Sequence, residues 1–339
     1  MKKATTATVP MSCSNLFNNL ASGRTHTGYV HHNSVCVIPD SAVTNGSTSA
    51  TAGSLVINEP DGAQIQQIRW VQLNAGELLV VASMRSLQLY TPDGKRLLHV
   101  VTASVPSGEP PASYRGIASC STGQMEYVCG GCSTGAICII PLSPGSGHTF
   151  DDPRLESPAS TLEIVDITAG PAPPNNTNRA LVCSADAQGD VHVHALEADG
   201  MWSHSVTFPF MTSDETPALC TSLRLRGQRL YCAYSTGHVR IFDVMAGLLS
   251  VSVAAHARWI NALEAHPCRD DLFVTASEDT TLGVWKLIEP EGKVVHVAHI
   301  PVQDWLLTGV SFAGGTERTH LAASAYDQAL IQSWRCEKM

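Results

Sequence analysis

The chain has 339 residues, 44% of them hydrophobic and 15% charged, which supplies a large apolar core and too little charge for a disordered polymer. Its 21 Lys and Arg stand against 30 Asp and Glu, and the resulting charge of -9 opposes any sequence-independent grip on nucleic-acid phosphates. Length alone admits one closed all-β ring or two ordinary domains, so internal repetition decides between them.

The amino terminus carries Lys2 and Lys3 and then runs from Ala4 to Thr8 without the apolar core of a secretory signal. No stretch approaches membrane-spanning length, so direct membrane insertion is not expected. Asn15 to Leu20 is the first candidate strand. Further along, short β-rich segments recur at Val35 to Ile38, Leu87 to Tyr90, Ile137 to Ile140, Val191 to His194, Val239 to Phe242, Leu282 to Trp285 and Leu330 to Trp334. Segments with alternating apolar residues precede several of them: Ile65, Ile68 and Trp70; Ile164, Ile167, Ala169 and Pro171; Cys220, Leu223 and Leu225; Leu307, Val310 and Phe312. Ser-, Gly-, Pro- or Asn-rich excursions fall at Pro39 to Gly53, Ala103 to Ala112, Ser143 to Ser160 and Gly170 to Asn178, and Leu142 to Ser157 offers no convincing strand.

The clearest unit runs from Ala255 to Leu287, AHARWINALEAHPCRDDLFVTASEDTTLGVWKL. Ile260, Leu263 and Ala265 alternate as the buried face of a first strand that Pro267 ends. Leu272 to Ser277 forms a second strand, Glu278 to Thr280 a tight turn, Leu282 to Trp285 a third strand and Lys293 to His299 a fourth. In such a unit His256, Thr275, Asp279 and Trp285 are expected to form a buried hydrogen-bond chain with a structural role, although His256 and Asp279 could also be read as a catalytic pair. The seven copies of the third strand lie 43 to 54 residues apart, slightly more than the spacing of about 40 to 45 in WD-type repeats. The fold expected is therefore an all-β, seven-bladed propeller of the WD-repeat kind. Only five residues follow Trp334, so an amino-terminal strand at Asn15 to Leu20 is expected to complete the last blade and remove an exposed sheet edge. The corresponding domain division is a flexible tail over 1–12 and one propeller over 13–339.

These motifs resemble the WD repeat-containing protein 54 family. The resemblance rests on AHAR at Ala255 to Arg258, SEDT at Ser277 to Thr280, VWKL at Val284 to Leu287, STGHVRIFD at Ser235 to Asp243, AYDQALI at Ala325 to Ile331 and NNL at Asn18 to Leu20. It implies a cytosolic, non-enzymatic, seven-bladed propeller acting as an adaptor.

Several segments invite a chemical reading. Gly131, Cys132, Ser133, Thr134 and Gly135 match GxSxG, but that nucleophile motif needs a following helix, whereas Ile137 to Ile140 reads as a strand. The same triplet recurs at Ser235 to Gly237, so both are expected as hairpin turns. Cys129 and Cys132 form a CxxC beside Cys120 and Cys138. On one regular strand, residues three apart face opposite ways, against a metal or redox site. His192 and His194 share one strand face, and His296 and His299 lie on another strand. No carboxylate or cysteine cluster is expected to accompany either pair, and both are expected as surface or packing residues. Cys336 occupies a prenylation position without the aliphatic residues that follow in such a box. Eleven scattered cysteines suit free thiols, and the cytoplasm is the expected compartment, with cilium or flagellum and vesicle surfaces as alternatives.

The function expected is a protein-interaction scaffold without enzymatic activity, metal or cofactor, whose partners are other proteins. The alternative is a stably incorporated subunit of a large cytoskeletal assembly such as a ciliary or flagellar axoneme. Arg258, Trp259, Asp304 and Trp305 follow the loops entering two neighbouring first strands and form the candidate partner-binding rim. Their tryptophans can equally pack between blades.

Overall fold

A computed structural model describes residues 5–46, 53–102, 112–123, 125–143, 149–156, 162–173, 176–210, 217–289 and 291–336. Its strands form seven antiparallel sheets arranged as the blades of one ring. The innermost strand of each blade lies against its counterparts on either side, and contact between Ala21–Ser22 of blade one and Leu307–Ala313 of blade seven completes the circle. All seven segments expected as third strands occupy that place. No helix among the described residues is long and apolar enough to cross a membrane.

Stability comes from between the blades. The buried apolar side chains fall into seven clusters, and each joins two neighbouring sheets. Strands near the axis are buried on both faces, whereas the outer strand Leu248–Ala254 alternates between exposed and half-buried residues. This gradient follows from a sheet covered on both sides only where the ring is narrow.

Ring closure differs from the sequence expectation. The strand that completes blade seven is Thr5–Thr8, which pairs antiparallel with Leu330–Arg335 in the register Thr5 to Ser333 and Thr8 to Leu330. Residues 5–8 therefore belong to the propeller and not to a flexible tail over 1–12. Asn15 to Leu20, expected as the closing strand, forms none. The excursion after Pro39 begins with a short helix, Asp40–Asn45, that acts as a second latch. The Asp40 carboxylate accepts hydrogen bonds from Thr27 Oγ1 at 2.9 Å and from the amides of Gly314 and Gly315 at 2.8 and 2.9 Å, tying blade one to blade seven. Both glycines have positive φ, which turns their two amides toward one carboxylate.

Two other regions also depart from expectation. Gly170 to Asn178 is largely a longer hairpin, with Ile164–Ala172 and Asn176–Asp186 as its strands. Blade three, which offered no fourth strand in sequence, splits that position between Thr149–Phe150 and Arg154–Glu156. Residues 103–111 and 337–339, which hold most of the Ala103 excursion and the end of the Cys336 tetrapeptide, lie outside the described residues.

Six of the seven innermost strands shift register near their start, between Ile65/Gln67, Arg115/Ile117, Ile164/Asp166, Cys220/Ser222, Ile260/Ala262 and Leu307/Gly309. Each shift is a bulge that leaves one residue outside the ladder. Repeated around the ring, the bulges place unpaired backbone groups at one mouth of the central channel.

Candidate interaction face

That mouth is where the loops entering the first strands meet the turns between second and third strands, as the pairing of Ile260 with Ser277 shows in blade six. The buried hydrogen-bond chain lies beneath it. Trp285 Nε1 donates to Thr275 Oγ1 at 2.9 Å, Thr275 Oγ1 lies 2.7 Å from His256 Nε2, and His256 Nδ1 lies 2.9 Å from Asp279 Oδ2. With the proton on Nδ1, the donors run in one direction from the indole to the carboxylate. Asp279 also accepts from the Ala257 amide and from Thr281. Burial pushes its carboxyl up, but hydrogen bonds from His256 and Thr281 and attraction to His256 outweigh burial and hold it well below the usual carboxylate range. Every polar atom of this would-be catalytic pair is engaged in joining loop, second strand and third strand.

Other blades solve the same problem with other residues. In blade four Asp186 accepts from the amides of Gln188 and Asp190 and lies 3.0 Å from His192 Nε2. His192 is therefore neither a surface residue nor without a carboxylate, because a partner six positions earlier is brought to it by the hairpin. His194, also buried, stacks on Trp202, whereas His296 and His299 are exposed and His296 packs on Trp285. In blade two Glu59 takes the loop position and meets Gln88 Nε2 at 3.2 Å, and Tyr90 donates to Gln88 at 2.7 Å.

The GxSxG segment is a turn. Ser133 and Ser113 exchange two hydrogen bonds, Ser113 N to Ser133 Oγ at 3.0 Å and Ser133 N to Ser113 O at 2.9 Å. Ser235 and Leu219 repeat this exchange in blade five. Gly135 and Gly237 both take positive φ at the same turn position. Cys129 and Cys132 face different inter-blade clusters, so the two thiols do not converge. Burial pushes the Cys132 thiol up to about 12, away from thiolate chemistry. No group of three or more His, Cys, Asp or Glu side chains among the described residues is placed to hold a metal ion.

The bulged carbonyls at the mouth are met by the amino-terminal segment. Asn15 Nδ2 donates to the carbonyls of Ile65 and Gln66 in blade two, both at 2.9 Å. Asn18 N donates to Asn261 O and Asn18 Nδ2 to Thr221 O, in blades six and five. Asn19 N donates to Thr308 O in blade seven, and its side chain exchanges bonds with the Val30 backbone in blade one. Residues 15–19 thus cross the channel mouth as a plug held from five blades. Buried backbone carbonyls need such donors, which explains three asparagines within five residues.

The plug also carries apolar residues at this face, the exposed Leu16 and the half-buried Phe17. Phe17 stacks on Trp259 with ring centroids 6.1 Å apart, and the Arg115 guanidinium lies 5.2 Å from the Phe17 ring centroid. Leu16 and Trp259 are 40% and 43% exposed, far more than a packed apolar residue. Arg258 and Asp304 are exposed as well, but Trp305 is half-buried against the cluster between blades six and seven. The expected rim therefore divides. Trp259 stacks on the plug, with Arg258 exposed beside it in sequence, and Trp305 belongs to the packing. Phe17 and Arg115 were missed in sequence because they meet each other and Trp259 only across remote parts of the chain.

Comparison with known proteins places the chain. A sequence profile for WDR54 matches residues 5–336. WD repeat-containing protein 54 of Mus musculus is 28% identical over 338 residues, covering 94% of this chain and 95% of the mouse protein. The Homo sapiens protein of the same name is 28% identical over 277 residues, covering 79% of this chain and 77% of the human one. Among solved structures, a chain in the crystal structure of the mitotic checkpoint complex superposes with a TM-score of 0.67 at 12% identity, over 97% of this chain and 90% of that one. Chaetomium thermophilum Raptor gives 0.65 at 12% identity, over 99% of this chain and 28% of its own. Those two likenesses concern the fold alone. A profile match across nearly the whole chain, together with seven blades in the expected order, shows that the protein belongs to the WDR54 family.

Proposed function

We propose that the protein is a non-enzymatic scaffold that recruits other proteins through the plugged channel mouth, with Phe17, Arg258 and Trp259 at the centre of contact. The observation that carries this reading is the stack of the exposed Trp259 on the half-buried Phe17, which is fixed on a segment hydrogen-bonded to five blades. Aromatic and arginine side chains held rigidly dominate the energetics of protein interfaces, because little ordering entropy remains to be lost on binding. A scaffold role also accords with the chemistry of the candidate catalytic groups, since Ser133, Ser235, His256 and Asp279 are all committed to structural hydrogen bonds. A cytosolic location follows from the same reading.

Quantitative affinity purification of the full chain beside the Phe17→Ser, Trp259→Ala double variant tests it. Loss of at least one partner with an unchanged melting temperature is the expected result. An unaltered set of partners would place recognition elsewhere. Trp305→Ala is the contrasting variant: it should melt earlier, by about 2 kcal/mol for a half-buried aromatic, and lose partners only as far as it unfolds. A pool that resists detergent extraction with the cytoskeleton would favour the incorporated-subunit alternative.

A further inference from the structure

Behind the plug lies a recessed, partly open cavity of about 310 Å³, lined by the first strands and by Asn18 and Leu20. Its wall is unlike the rest of the molecule. In a chain of net charge -9, Arg69, Arg224, Arg226 and Arg318 all line this one cavity, and among the described residues Glu264 is the only carboxylate lining it. Asp166, buried and paired with Arg224, supplies a further negative charge.

The local pairing shows which cations remain available. Arg224 is satisfied, reaching Glu264 at 2.8 Å and Asp166 at 3.3 Å. Arg69 has a long 3.5 Å ion pair with the same Glu264. Arg226 donates from Nη2 to the His266 carbonyl, which does not neutralise it, lies 4.0 Å from Asp270, a residue whose side chain is 79% exposed, and has a buried Nε with no hydrogen-bond partner among the described residues. Arg318 directs Nη1 to the carbonyls of Ser22, Gly23 and Phe312, which holds the guanidinium in place without neutralising it. Burial and then repulsion from Arg224 push the Arg69 guanidinium down, with a smaller push from Arg226, and attraction to Glu264 and Asp166 does not fully offset them. Folding tolerates such an arrangement at a cost, and a bound anion would relieve it.

The structure assigns this channel as a binding site for a small, multiply phosphorylated anion, held by Arg69, Arg226 and Arg318. Guanidinium forks match phosphate oxygens in pairs, and three of them on the wall of a recessed cavity select several phosphates on one compact molecule. The volume is at the small end of the range for ligand pockets, about 300 to 1,000 Å³, which suits a sugar- or inositol-sized phosphate and excludes a folded peptide segment. The site is independent of the protein-binding mouth, because the plug separates them.

Calorimetry on the full chain with inositol trisphosphate and with pyrophosphate, at low and high salt, tests the assignment. Both probes should bind and raise the melting temperature, with affinity falling as salt rises. The Arg69→Gln, Arg226→Gln double variant should bind at least tenfold more weakly, and Arg258→Gln, at the plugged mouth, should bind as the unaltered protein does. Absence of binding, or equal binding by the double variant, overturns the assignment. Should that variant fold poorly, phenylglyoxal labelling of the unaltered protein decides: either probe must protect Arg69 and Arg226, and unprotected arginines count against the site. Vesicles bearing phosphoinositide report the source. Binding to vesicles that soluble inositol trisphosphate does not displace would also contradict a channel site.

Discussion

Asn18 donates from its side-chain amide to the carbonyl of Thr221 at 2.9 Å, across a separation of 203 residues. The same side chain accepts from Ser222 Oγ at 2.9 Å, so one asparagine satisfies both a bulged carbonyl and the neighbouring hydroxyl. Asn18→Ala leaves Thr221 O without this donor and Ser222 with only the Leu263 carbonyl. The expected loss is about 1 to 3 kcal/mol in chemical denaturation. An unchanged denaturation midpoint would mean that the plug adds nothing to the fold.

Two truncations separate the strand from the plug. Removing residues 1–8 deletes the strand paired with Leu330–Arg335 and exposes an unpaired edge on blade seven, so a lower melting temperature and self-association are expected. Removing residues 1–19 also takes away the donors to Gln66, Thr221, Asn261 and Thr308, and this variant should melt lower still. Light scattering after size exclusion reads the first effect and calorimetry the second. A shorter chain that stays monomeric with an unchanged melting temperature is incompatible with closure by Thr5–Thr8.

Asp279→Ala removes the acceptor for His256 Nδ1, the Ala257 amide and Thr281 in one step. A loss of about 1 to 3 kcal/mol is expected, without loss of any enzymatic turnover. Stability retained together with a turnover lost would convert the structural chain into a catalytic one.

His194 sets a pH dependence. Burial, with repulsion from His204 and His192, pushes its imidazole down to about 4. The unfolded chain then binds this proton more readily than the folded one between pH 6.5 and about 4, so the stability associated with a neutral His194 is complete above pH 6.5 and is lost as pH falls through that window. His194→Phe keeps an aromatic ring against Trp202 and should flatten this part of the stability curve. Parallel curves for the two proteins, measured by urea denaturation from pH 7 to 4, would refute the assignment.

The parts of this molecule legible in sequence are those written locally. Third strands such as Val239 to Phe242 show β-branched and aromatic residues beside a turn, and the hydrogen-bond chain of blade six has all four members within thirty residues of one another. The closing strand Thr5–Thr8 was illegible because only Ala7 is buried, leaving no apolar alternation to detect. The asparagines of the plug looked like a polar strand because their partners are carbonyls made available by bulges, and bulges leave no mark in composition. Asp186 and His192 became a pair only through the hairpin between them. The channel arginines were invisible for a related reason: Arg69, Arg226 and Arg318 are far apart in sequence and converge only when the ring closes.

Hydrogen exchange on the complex with a captured partner measures the central claim most directly, because it reports which face is covered. The amides of Leu16, Phe17, Arg258 and Trp259 should gain protection, while the outer strands Leu248–Ala254 and Lys293–Pro301 exchange as in the free protein. Protection confined to those outer strands, with the plug exchanging unchanged, would contradict recognition at the channel mouth and place it on the circumference of the ring.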